Sequence, residues 1–147
     1  MPTDFRDGKT FPRRGREPLG GFLWLARVYD KARAKANRTN GAYNYPCPID
    51  RGMMRQWGIN AEDFTMAAAG NTTDDQILAW LSQRAGPDRM QAANDWLTSS
   101  RSSNLDRHDF EEGVPGAAKP GPSREIILGI FAAVVAIIAA LIERSLH

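Results

Sequence analysis

The sequence predicts a mainly α protein: a small bundle of four to five helices with a short extended Tyr/Pro/Cys turn, followed by a linker and one transmembrane helix. Three observations carry this expectation. Apolar residues between Leu19 and Leu97 recur at helical spacing, broken at short intervals by Gly, Pro and capping residues. The stretch from Ser99 to Ser123 is rich in Ser, Asp, Glu, Gly and Pro. The segment from Ile126 to Ile142 has no charge and no hydrogen-bonding side chain. The expected organisation is a basic arm (1–18), a helical domain (19–98), a flexible linker (99–123) and a C-terminal transmembrane anchor (124–147).

The arm carries Arg13, Arg14 and Arg16 with little apolar periodicity, so it reads as extended or loosely ordered. A twin-arginine export signal is disfavoured, because the apolar run after it, Leu19 to Ala26, is short and gives way to Arg27 and Asp30. Phe22, Ala26, Tyr29 and Ala36 then predict a first helix from Leu19 to Asn37, stopped before Gly41. Along it, Asp30 lies three residues from Arg27 and from Arg33, the spacing of surface ion pairs.

In "AYNYPCPID", Tyr43, Tyr45 and Cys47 alternate with Asn44, Pro46 and Pro48, an extended segment stiffened by its prolines. Beyond it, Asp50 is the expected cap of a helix ended by Gly58, and Asn60 with Asp63 opens the next. Thr73 and Gln76 have capping-box spacing, and Asp88 with Gln91 begins a last short helix. Trp24, Trp57, Trp80 and Trp96 are expected to join these helices in one small core.

A single cysteine and two histidines exclude an internal disulfide framework and a multi-ligand Cys/His metal centre. No cofactor is implied. The catalytic candidates are Cys47, Asp30, Lys31 and Asp50, because cations near a thiol favour its reactive thiolate. A small buried hydrophobe is the plainer role for Cys47, since the one internal histidine, His108, falls in the expected linker. Tyr43, Tyr45 and Arg33 are the binding candidates.

Lys and Arg outnumber Asp and Glu from Met1 to Asn60, and the reverse holds from Ala61 to Glu125. This polarity either draws the two halves together within one fold or attracts an anionic partner. Nucleic acid is disfavoured, as no recognised motif accompanies the charge.

A helix over Ile126 to Ile142 is about 25 Å long, and Arg124 and Arg144 can reach opposite interfaces of a bilayer core of about 30 Å. The expected partner there is the lipid bilayer, with the chain a tail-anchored single-pass protein of the inner membrane and its N-terminal domain cytoplasmic. Gly129, Ala133, Ala136 and Ala140 form a stripe of small residues suited to homo-oligomer packing. The functional expectation is a membrane-tethered binding or adaptor module for an unknown protein or small molecule. The alternative is a small cysteine-dependent enzyme or redox protein using Cys47.

The succession "REPLGGFLWLARVYDKARAKA", "GAYNYPCPIDRGMMRQWGINAEDF" and "TTDDQILAWL" resembles a bacterial family known as domain of unknown function 5069. The resemblance spans roughly Arg16 to Leu97. It implies a mainly helical domain and brings no catalytic or binding residues with it. Relatives continue in soluble sequence with a Trp-Phe and Leu-Asp-rich end, so a linker and apolar helix in that place are a departure from the family pattern.

Overall fold

The first helix begins at Leu25, six residues later than the apolar run suggests. Gly20 and Gly21 take positive φ, and Trp24 itself sits in the left-handed region at φ 70°. Leu19 and Phe22 exchange backbone hydrogen bonds, the Trp24 N–H donates to the Gly15 carbonyl, and the Leu23 N–H donates to Asn94 Oδ1. The segment thus satisfies its backbone outside a helix, with partners that no local pattern reveals.

The computed structural model describes residues 1–121 and 124–145, without the side chains of 124–126. Its helices are α1 (Leu25–Ala36), α2 (Pro48–Trp57), α3 (Ala61–Gly70), α4 (Asp74–Ser82), α5 (Pro87–Ser100), α6 (Ser102–Glu111) and α7 (Arg124–Ser145). No strand forms among the described residues. Six helices therefore precede the apolar one where four to five were expected, the added element being α6, inside the stretch read as a linker. The expectations for Pro122, Ser123 and the last two residues lie outside the described residues, as do those for the side chains of Arg124 and Ile126.

Helix ends follow local chemistry. The Asn60 side chain accepts from the Asp63 N–H, Thr73 and Gln76 form a reciprocal capping box, and Gly58 closes α2 in the left-handed conformation. Two caps differ from expectation. α2 is capped by Cys47, with Pro48 in the first turn and Asp50 completing the box from the third position. α5 starts from Gly86 with Pro87 in its first turn, a place where a missing N–H costs nothing.

α1 runs through the centre, burying Leu25, Ala26, Val28, Tyr29, Ala32 and Ala34. Trp24 and Trp57 are wholly buried, whereas Trp80 and Trp96 lie half-buried at the margin of the core. Phe64 links Trp57 and Trp80, with ring centroids 6.4 and 6.1 Å away. α2 and α5 pack so closely that a Cβ on Gly52 would lie 2.2 Å from Trp96 Cη2. Gly52→Ala should therefore lose about 1–3 kcal/mol in urea unfolding. Gly70→Ala, whose Cβ meets nothing within 4 Å, should be neutral or gain about 0.4–1 kcal/mol.

The basic N-terminal stretch has no regular structure but lies on the helices. Phe5 is buried, with its N–H on the Thr39 carbonyl. Arg13 bridges Asp30 of α1 at 2.9 Å and Asp74 of α4 at 2.6 Å, while Arg14 and Arg16 reach Asp109 and Asp106 of α6. Arg13, Arg14 and Arg16 of the basic half thus meet acidic residues of the other half within one fold. Asp30 is not the surface partner of Arg27 and Arg33 that its spacing suggests; it is fully buried against Arg13.

α7 stands apart in character. Its stretch Ile127–Ser145 is long and apolar enough to cross a membrane, and none of its residues is buried. It is compatible with a single-pass anchor.

Candidate functional site

α1 places Arg27 and Lys31 one turn apart on a buried face, 2% and 3% exposed. Charges this deep need partners. Lys31 Nζ donates to Asp50 Oδ2 at 2.7 Å and lies 3.3 Å from Cys47 Sγ. The other Asp50 oxygen accepts the Trp24 indole N–H at 2.8 Å, and Oδ2 also accepts the Cys47 backbone N–H at 2.8 Å. The capping turn of α2 folds this way because its box requires the Cys47 sulfur to face the Asp50 N–H and the Asp50 carboxylate to face back.

One turn earlier, Arg27 grips Glu112 with both terminal nitrogens, and the Tyr43 hydroxyl donates to the same carboxylate at 2.8 Å. The guanidinium lies 5.5 Å from the centre of the Trp24 ring and 5.6 Å from that of Tyr43. Burial and the adjoining Glu112 carboxylate push the Tyr43 hydroxyl above its ordinary pKa. On the other side of this cluster the His108 ring packs 5.9 Å from the Trp24 ring. Burial, reinforced by Arg27, lowers His108 to about 4, so it is neutral at physiological pH.

Of the residues singled out from sequence, Cys47, Lys31 and Asp50 come together. Asp30 belongs instead to the cluster of Arg13 and Asp74. Tyr43 turns to Glu112, and Tyr45 shares a hydrogen bond with Thr65 at 2.7 Å, with burial raising its hydroxyl to about 12. Arg33 donates to the Ala68 and Asn71 carbonyls, tying α1 to the end of α3. Glu112 is not singled out by the sequence, which marks Trp24, Arg27 and His108 only as a core residue, a surface ion-pair partner and a histidine of the expected linker. For Arg27 a signal existed: it stands four residues before Lys31 within a run whose neighbours are apolar.

Chemically, the arrangement is a buried ionic staple with a thiol at its edge. Lys31 is shared between a carboxylate and a sulfur, and the α2 N-terminus adds positive potential at that sulfur. Among the described residues no group of three or more His, Cys, Asp or Glu side chains is placed to hold a metal ion.

The fold and site together define a small all-helical domain with charged groups built into its core. Residues 9–125 match the model of the family described as domain of unknown function (DUF5069), and the chain belongs to that family. No curated protein matches it. The match extends beyond the Arg16 to Leu97 resemblance at both ends, so α6 lies within the family's domain and the N-terminal arginines that pair with it do too.

Proposed function

We propose that the chain is a membrane-tethered helical binding or adaptor module, held by α7 in the bacterial inner membrane with its domain in the cytoplasm. The observation that carries this reading is the apolar stretch Ile127–Ser145, none of whose residues is buried by the rest of the chain. A tether of this kind concentrates the domain near partners on the same membrane. Lys119 and Arg124 ahead of the segment, against Arg144 after it, favour the cytoplasmic orientation. Gly129, Ala133, Ala136 and Ala140 support close packing of a second copy against α7. The test compares the full chain with one truncated after Gly121. The full chain should stay in the membrane pellet through an alkaline wash and the truncated one should be soluble; a full chain released by the wash sinks the tether.

A second reading has one specific observation in its favour: Lys31 Nζ stands 3.3 Å from Cys47 Sγ at the α2 N-terminus. In it the thiol does the chemistry, as a nucleophile or redox group. It requires that the folded chain be alkylated by iodoacetamide several-fold faster near neutral pH than the denatured chain, and that Cys47→Ser abolish the reaction. Slower alkylation when folded would leave Cys47 as the sulfur cap of α2.

A further inference from the structure

α6 is fastened to the domain by ion pairs both along its length and at its end. α4 and α5 each bury two apolar side chains, Ile77 with Leu81 and Ala93 with Leu97, whereas of the two that α6 buries, Leu105 and Asp109, one is a carboxylate. Beyond Leu105 in the core and the His108 ring against Trp24, what holds α6 is charge. Arg14 meets Asp109 at 2.7 Å, Arg16 meets Asp106 at 2.6 Å and Asp109 at 2.9 Å, and Arg27 clasps Glu112 at its end. The Arg14 and Arg16 side chains are 46% and 34% exposed, so water and salt reach their pairs and each contributes little alone, whereas the Arg27–Glu112 pair is buried. An open cavity of about 230 Å³, lined by Arg14, Arg16, Asp106, Asp109 and residues 114–118, lies beside them.

We propose that α6 is a releasable strap, a charge-latched helix that lifts from Trp24 and Arg27 when its ion pairs weaken and so lengthens the chain between the domain and α7. The lengthening matters for function only under the membrane reading above; the release itself does not depend on it. His108 gives the latch its sensitivity to acid. The groups facing it are Arg27 and Lys31 from α1, Arg107 from α6 itself, Glu112 just past its end, and Tyr43, whose hydroxyl is on Glu112. Docked, it is held neutral down to about pH 4; released, it returns to its ordinary value of 6.5. The docked state therefore binds fewer protons between those values. Its stabilisation is complete above pH 6.5 and is lost progressively as the pH falls toward 4. Asp109, which Arg14 holds below its ordinary 3.8, loses its contribution only in stronger acid.

Hydrogen exchange of the full chain in detergent, expressed as protection factors, tests the strap. Raising salt from about 0.05 M to about 1 M, or replacing Asp109→Asn, should lower protection of 102–111 about tenfold or more while α2 and α5 hold theirs. Going from about pH 7.5 to about pH 5 should raise α6 opening roughly 10- to 30-fold. His108→Gln should abolish that pH response and keep the salt response. Protection of 102–111 that falls only together with α2 and α5, or that ignores salt and pH, overturns the proposal; these arms use the unsubstituted chain and stand even if Asp109→Asn does not fold. A full chain that is monodisperse without detergent defeats the membrane reading and leaves the exchange result intact.

Discussion

Asp50→Ala is expected to remove about 3–5 kcal/mol of folding stability, a large part of the roughly 5–15 kcal/mol that a domain has. The carboxylate receives the Lys31 ammonium, the Trp24 indole N–H and the Cys47 backbone N–H, and its own N–H caps against the Cys47 sulfur. Removing it strands an ammonium that is only 3% exposed and orphans a buried indole. Asp50→Asn keeps an acceptor for one neutral donor but leaves the Lys31 charge without a counterion, so it should fall between Asp50→Ala and the original chain. Cys47→Ala removes only a weak sulfur acceptor and should cost less than about 1 kcal/mol. Urea unfolding followed by tryptophan fluorescence measures all three. An Asp50→Ala midpoint close to that of the original chain would show that the staple contributes little to folding.

The same residues explain what was legible in the sequence. Caps such as Asn60 with Asp63 and Thr73 with Gln76 were legible because both partners lie within one turn of chain, and Gly58 because only one residue type enters the left-handed region cheaply. The start of α1 was not, since it depends on the Gly15 carbonyl and on Asn94, and Asn94 is far along the chain. α6 was hidden for a related reason. Apolar periodicity reports helices that are held by burial, and this one buries a single apolar side chain, Leu105, and is otherwise held by Arg14, Arg16 and Arg27 acting across most of the domain.

Within the site, Lys31 and Asp30 are neighbours in sequence but part company in the fold. Successive helical positions point about 100° apart, which sends one to Asp50 and Cys47 and the other to Arg13 and Asp74. Residue type and proximity in sequence identified candidates, but which of them meet was decided by helix phase. The charge asymmetry was legible as a total; its meaning came from the individual pairs, in which basic residues of the first half meet acidic residues of the second.

If α7 is the membrane tether proposed above, paired arginines in its middle should release the chain from the membrane, where a single arginine should not. The run from Ile126 to Ile142 holds eleven Ile, Leu, Val or Phe residues. Each favours insertion by about 0.3–0.6 kcal/mol at the helix centre and less toward the ends, for roughly 3–6 kcal/mol in all. One arginine at the centre opposes this by about 2.5–3.5 kcal/mol, which leaves insertion marginal but favourable. Two oppose it by about 5–7 kcal/mol and also leave only nine of the eleven favourable residues, for roughly 3–5 kcal/mol, so the balance turns against insertion. Val134→Arg should therefore remain mostly in the alkaline-washed pellet, and Val134→Arg combined with Ile138→Arg should move to the supernatant. Both positions are exposed on α7, so neither change touches the packing of the helical domain, and its urea midpoint should be unaltered. That independent readout separates loss of insertion from loss of folding. A doubly substituted chain that stays in the pellet with a normal urea midpoint would mean that something other than α7 holds the protein to the membrane.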